Sequence, residues 1–192
     1  GAAGSEIGLI AARSLEGRSV RLRPLRVEHA ELEARWLSDA EVRHWLHRSE
    51  VGPEQRTRGS VARKIAEGLA SPLDLRFLIE TAEGVPIGQV ALLGIHPHGR
   101  AELSILIGER GYWSRGLGAD AIRCLVGFAF AELGLRRVTL ITDADNVRGV
   151  RCYENCGFRH DGVLRAHRLR HGAPIDMLAM AVLRGELRDV AD

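Results

Sequence analysis

Between Gly116 and Leu133 an apolar residue returns at every fourth position, as Leu117, Ala121, Leu125, Ala129 and Leu133, and short runs that are largely apolar flank the stretch on both sides. That spacing lines the side chains along one face of a long helix. The flanking runs, Ala101 to Ile107 and Arg136 to Thr142, read as buried strands. Strand, helix and strand in succession form a βαβ unit, so the chain commits to at least one parallel pair inside a covered sheet.

The segments before this unit read differently. Ser19 to Leu25 alternates apolar and charged residues until Pro24 stops it, which predicts a strand. Val27, Ala30, Leu32, Ala34 and Leu37 predict an amphipathic helix over Val27 to Asp39, rich in acids. A second short helix carries Val42, Trp45 and Leu46, and Gly52-Pro53 breaks it. Glu54 to Ala70 reads as a third helix, weakened by Gly59 and Gly68. Leu75 to Glu80 is then a strand, Ala82-Glu83-Gly84 a turn, and Val85 to Leu93 the antiparallel partner, with His96 to Arg100 as the next connection. After the βαβ unit come a helix from Val147 to Asn155, a strand from Phe158 to Arg165, a turn at His171-Gly172 and a last strand from Ile175 to Leu183. The fold class is therefore α/β, with a mixed, largely antiparallel sheet of six to seven strands flanked by helices.

At 192 residues the chain suits one domain. We expect residues 18–187 to form it, residues 1–17 to be an N-terminal extension or a remnant of trimming (the first residue is not Met), and 188–192 to be a tail. With 27 basic and 25 acidic residues the net charge is +2, which gives no electrostatic case for nucleic acid or an acidic membrane. The basic residues are almost all Arg, Lys64 being the only lysine. Three cysteines argue against a secreted disulfide framework. The absence of a signal-like opening or an apolar run of membrane-spanning length adds to a cytoplasmic expectation. Cys152 and Cys156, four apart, suit one helix face and read as small buried hydrophobes.

Chemistry concentrates in two places. Tyr112-Trp113-Ser114-Arg115-Gly116-Leu117-Gly118-Ala119 follows a strand and opens the long helix. Glycines there let backbone N–H groups converge on an anion, the helix dipole adds positive potential, and Arg115 adds a charge. A pyrophosphate would fit. A dinucleotide fingerprint would need a third glycine where Ala121 stands, and a P-loop would need Gly-Lys-Ser/Thr, which is absent. The second place, about 30 residues on, runs Asp145-Asn146-Val147-Arg148-Gly149-Val150-Arg151-Cys152-Tyr153-Glu154-Asn155-Cys156-Gly157-Phe158 on the next strand–helix unit.

Together the two segments resemble the paired signatures of the GNAT superfamily of acetyl-CoA-dependent N-acetyltransferases. These are Arg/Gln-x-x-Gly-x-Gly/Ala followed by Asn-x-x-Ala/Ser-x-x-x-Tyr-x-x-x-Gly-Phe, in this order and separation. The element order from Val20 to Leu183 matches as well. Two positions depart: Trp113 stands where Arg or Gln is common, and Gly149 replaces the small Ala or Ser. Arg21 to Leu25, Arg100-Ala101-Glu102, Cys152-Tyr153-Glu154, and the tail from Asp161 to Met177 are similar to the branch holding ribosomal-protein N-terminal and spermidine N-acetyltransferases. Some aminoglycoside N-acetyltransferases share parts of it.

The resemblance implies a GNAT fold and acetyl-CoA as acyl donor, with no metal. It implies direct attack of a primary amine (a protein N-terminus, a polyamine or an aminoglycoside) through a tetrahedral intermediate. Tyr153 would be the general acid for the departing thiolate. Glu102, near the start of the strand that lines CoA, is the candidate base through water, with His96 or His98 as alternatives. The cofactor-binding set is Ser114, Arg115, Gly116, Leu117, Gly118 and Ala119 around the pyrophosphate, Asn146 on the CoA arm, and Leu106 and Ile107, whose backbone would meet the oxyanion. His160, His167 and His171 are scattered and make no metal site. Glu28, Glu31, Glu33, Asp39 and Glu41 would draw a cationic acceptor, whereas Arg165, Arg168 and Arg170 on the last hairpin would suit an acidic or peptide-like one. The partner is thus a small-molecule or peptide amine, with a homodimer or higher homo-oligomer left open. A non-catalytic acetyl-CoA sensor or scaffold with the same fold is the alternative function.

Overall fold

The computed structural model describes residues 12–46 and 52–189. Most of the expected N-terminal extension, the end of the expected tail and part of the break after Leu46 therefore lie outside the described residues. The strands are β1 (Leu15–Glu16), β2 (Val20–Pro24), β3 (Leu75–Thr81), β4 (Pro86–His96), β5 (Arg100–Ile107), β6 (Arg137–Asp143), β7 (Arg159–Arg170) and β8 (Ala173–Leu183). The helices are α1 (Ala30–Ser38), α2 (Ala40–His44), α3 (Arg58–Leu69), α4 (Leu117–Ala131) and α5 (Val147–Asn155).

Among the described residues the strands form one eight-stranded sheet in the order β1-β2-β3-β4-β5-β6-β8-β7. Only β5 and β6 pair in parallel, with α4 as their crossover. The additional strand is β1, where Leu15 pairs with Leu22 and packs into the core, so the end of the expected extension belongs to the sheet. Two residues carry no readable period, which is why the sequence does not mark it. Asp120 anchors this edge: its buried carboxylate accepts the backbone N–H groups of Arg18 (3.1 Å), Ser19 (2.7 Å) and Val20 (3.0 Å). The strands after α5 run longer than the pattern suggests. β7 is exposed along nearly its whole length, so no alternation marks its end.

Each sheet face has its own core. Leu75, Phe77, Val90, Leu92, Ala101 and Leu103 point to α4, whose Ala121, Ile122, Leu125 and Ala129 meet them without solvent exposure. On the opposite face Leu78 and Leu106 pack with Trp36 and Leu37 of α1, Val42 of α2, and Val61 and Ile65 of α3. The anticipated helix over Val27 to Asp39 is a 3-10 turn (Val27–His29) leading into α1, and that over Glu54 to Ala70 is another (Pro53–Arg56) leading into α3. Asp39 ends the first run because its side chain accepts from the Glu41 and Val42 amides and so starts α2.

Candidate active site

β5 and β6 are paired only from Arg100 opposite Arg137 to Glu102 opposite Thr139. Beyond that point β5 stays with β4 as far as Ile107 opposite Gly88, and β6 stays with β8 as far as Asp143 opposite Met177. Each strand follows its other neighbour, so the two diverge and leave backbone edges facing each other across a wedge. The wedge opens into a cavity of about 990 Å³, lined by both edges, by residues 112–119, by the start of α5, and by the helices of the opposite face.

The direction of the β5 amides follows from Gly88. A Cβ at that position would overlap the Leu106 carbonyl oxygen, so this carbonyl points at β4. Its trans peptide sends the Ile107 N–H the other way, into the wedge, and strand alternation does the same for Ile105. Leu106 consequently offers the cavity its side chain, while Ile107 and Ile105 offer N–H groups. Extending the parallel register from Glu102 opposite Thr139 brings Ile105 level with Thr142.

The glycine-rich turn closes the wide end. Ser114 and Gly116 both have positive φ, 60° and 78°, and a left-handed N-cap of this kind is what a glycine supplies without strain. The first backbone bond of α4 runs from the Asp120 N–H to the Gly116 carbonyl, and no side chain caps the helix. The N–H groups of Leu117, Gly118 and Ala119 are therefore left to an external anion. Arg115 stacks over Tyr112 at 5.2 Å beside them. Trp113, the residue that departs from the family pattern, donates its indole N–H to the Ile107 carbonyl at 2.7 Å and lies 3.9 Å beneath the Arg148 guanidinium. An aromatic bracket thus spans from the turn to α5, which sequence reasoning did not anticipate because the contact joins separate elements.

Across the wedge, Asn146 caps α5 by accepting the Gly149 N–H at 3.1 Å, and its amide nitrogen lies 3.5 Å from the Thr142 hydroxyl. A Cβ at 149 would press on that capping amide as it stands. Tyr153 lies beside Thr142, and desolvation pushes its hydroxyl well above the ordinary tyrosine range, so it holds its proton. Cys152 lines the cavity one turn before Cys156, which is fully buried as expected, lies 3.6 Å from the Ala119 carbonyl, and has its thiol pushed up by the neighbouring Cys152 and by burial.

Glu102 also lines the cavity, near the narrow end of the wedge and three residues from Ile105, about 10 Å along the strand. His96 and His98 do not line it; their rings contact each other at 4.8 Å on the β4–β5 connection. Of the α1 acids, Glu33 is the one the fold buries, accepting from the Gln89 side chain at 2.9 Å on the cavity wall. A helix-face pattern cannot distinguish it from Glu28 or Glu31. Arg168 and Arg170 do not face an acceptor as bare charges. Arg168 holds the buried Asp143 through Nε at 2.8 Å, and Arg170 bonds both Asp143 and Asp145. Of the three arginines that suggested an acidic acceptor, Arg168 and Arg170 are thus engaged by β6 and its following loop, and Arg165 is exposed on β7. Among the described residues no three His, Cys, Asp or Glu side chains gather as metal ligands.

Residues 19–159 match the family model described as an acetyltransferase (GNAT) domain. The spermidine N(1)-acetyltransferase of Escherichia coli K12 is 34% identical over 90 residues, 46% of this chain and 47% of that protein, so the match spans about half of the relative's length. Among solved structures, a GCN5-related N-acetyltransferase from Brucella melitensis superposes with a TM-score of 0.75 at 27% identity, covering 91% of this chain and 80% of its own. Mycobacterium smegmatis RimJ, solved in complex with CoA-disulfide, gives a TM-score of 0.79 at 20% identity, covering 92% of this chain and 88% of its own.

Proposed function

This chain belongs to the GNAT family of acetyltransferases, and on that premise we propose that it transfers the acetyl group of acetyl-CoA to a primary amine. The acceptor classes are a protein N-terminus, a polyamine or an aminoglycoside, and the attack is direct. The observation that carries the reading is the wedge itself. It has uncapped amides of α4 at its wide end, and Ile105 stands level with the Thr142–Tyr153 pair along its sides.

In this reading the N–H groups of Leu117, Gly118 and Ala119, with Arg115 and the turn at Ser114 and Gly116, hold the pyrophosphate. Ile107 bonds the pantetheine arm, and Asn146 fixes the opposite wall while capping its helix. Ile105, deeper in the wedge, donates its N–H to the oxyanion, a preorganised donor aimed where charge develops. That places the oxyanion contact one turn of the pleat further in than Leu106-Ile107. Tyr153 delivers its proton to the departing thiolate, whose pKa near 8.5 makes it a tolerable leaving group. Glu102, about 10 Å from Ile105, draws the proton of the acceptor ammonium through water. Site of action in the cytoplasm belongs to the same proposal and is supported by three free thiols.

The test is release of CoA thiol from acetyl-CoA with amines of each class, with the protein's own thiols subtracted. Amine-dependent release that falls by about 100-fold or more in Tyr153→Phe, the usual size of general acid catalysis, is expected. Unchanged rates in that variant would remove Tyr153 as the acid. Acetyl-CoA binding without release for any amine would favour the sensor.

A further inference from the structure

The α1–α3 side of the cavity carries a charge pattern that the acetyl-transfer reading does not use. The strand register fixes its layout. Arg76 of β3, Ala91 of β4 and Ser104 of β5 form one row across the sheet, and Leu78, Gln89 and Leu106 form the next. Leu78 and Leu106 belong to the core of that face, so both rows look toward α1 and α3. Glu102 lies one row further along on the same face, and Glu33 reaches down from α1 to Gln89. Arg76, Gln89, Ser104, Glu102, Glu33 and Lys64 all line the cavity.

The signs are segregated. Glu102 and Ser104 stand on β5, beside the wedge. Arg76 stands two strands away, about 10 Å from Ser104 at the ordinary strand spacing. One partner of Arg76 is Asp74, at 2.9 Å to Nη2, while its Nε is buried beneath Gly68 of α3 with no acceptor. Lys64 lies one helical turn before Gly68 on the same face of α3, and it pairs with no carboxylate among the described residues. Among the described residues the chamber thus has Glu102 beside the reacting gap, Glu33 over the middle strand, and at its far wall the exposed Lys64 next to Arg76, whose charge Asp74 shares.

A polyamine would bring a second ammonium to Lys64, a like-charge contact that disfavours binding, while the Arg76 guanidinium is already shared with Asp74. We propose that the acceptor is an amine carrying an anionic group at its other end, its ammonium beside Glu102 and its carboxylate on Lys64 at the Arg76 end of the chamber. An ω-amino acid or a short peptide has this chemistry. The assignment rests on the acetyl-transfer reading and narrows its acceptor class away from polyamines.

Matched pairs decide it: 5-aminopentanoate against 1,5-diaminopentane, and a dipeptide against its C-terminal amide, with spermidine as a further cation. CoA-thiol release is measured for wild type and for Lys64→Glu, whose folding is checked by the rise in Tm that CoA alone produces. The carboxylate member is expected to have the higher kcat/KM by about threefold or more, on the scale of one solvent-exposed charge contact. In Lys64→Glu the preference reverses. Equal or better turnover of the diamines and spermidine by wild type overturns the proposal while leaving acetyl transfer intact, and so does a ratio unmoved by Lys64→Glu. Binding separates the remaining cases, through the Tm shift that each N-acetylated product gives in the presence of CoA. Carboxylate products that bind wild type but not Lys64→Glu, without turnover, uphold the charge assignment and overturn the transfer reading. If no carboxylate product binds, the proposal falls.

Discussion

Gly88 shows how much one missing side chain can direct. Its bare Cα lets the Leu106 carbonyl come close to β4, and that carbonyl decides which β5 amides face the wedge. Gly88→Ala would force the two strands apart at this point. A loss of about 1–3 kcal/mol in urea unfolding is expected, the scale of an overpacked core contact. Because Ile105 and Ile107 move with the strand, kcat should fall by more than acetyl-CoA binding weakens. Equal loss of both would show that the amides do not act differentially on the reacting state. Nothing in the sequence around Gly88 distinguishes it from a residue of an ordinary strand. Its partner lies across the ladder, and a strand pattern read along one segment does not contain its neighbour. The Gly116/Gly118 helix start was legible because its turn and first amides are local, whereas the role proposed for Tyr153 came through the family resemblance.

Among elements, the β7–β8 hairpin depends on the carboxylate that ends β6. Asp143 is 1% exposed and is shared by Arg168 and Arg170, which reach it from β7 at 2.8 Å and 3.2 Å. Removing the carboxylate would take the shared buried partner from two guanidinium groups that are themselves largely covered, Arg170 keeping Asp145. Asp143→Ala is expected to cost about 3–5 kcal/mol by chemical denaturation, the usual loss when one partner of a buried ion pair is deleted. It should also raise hydrogen exchange along β7 before β3 and β4 respond. A cost below about 1 kcal/mol would mean the hairpin is held by its ladder alone. The arginines are conspicuous in the sequence, yet their partners lie 25 and 27 residues away, so charge patterning along the hairpin alone suggests a free basic surface. The helices illustrate the converse. α4 and α5 fall within one or two residues of the expected spans because their apolar spacing and caps are local, whereas the starts of α1 and α3 tighten into 3-10 turns that a four-residue period does not resolve.

For the whole molecule, the proposed role of the half-buried Tyr153 as the acid predicts the pH behaviour. Its hydroxyl is held above the ordinary value of about 10, so the acid stays protonated throughout the neutral and mildly alkaline range. The acceptor ammonium must lose its proton, which makes kcat/KM rise with pH between about 6 and 9. No descending limb is expected below about pH 10, and a fall near pH 8 would show that another group supplies the proton. Stability follows the same sign. Above about pH 10 the unfolded chain releases the tyrosine proton while the folded chain retains it, so this contribution, complete at neutral pH, is lost as the pH rises further. Melting temperatures between pH 8 and 11 for wild type and Tyr153→Phe should diverge only at the alkaline end.

The sequence by itself determined the order of strands and helices, the βαβ unit and the glycine-rich start of α4, since each rests on side-chain period or on residues adjacent along the chain. Tertiary structure alone decided which amides face the wedge, which acid of α1 is buried, that Trp113 and Arg148 close on each other, and that the hairpin arginines are already paired. It also set Lys64 and Arg76 at the far wall from Glu102. All of these depend on strand register and on contacts between distant segments, where a shift of one residue would turn each side chain to the other face.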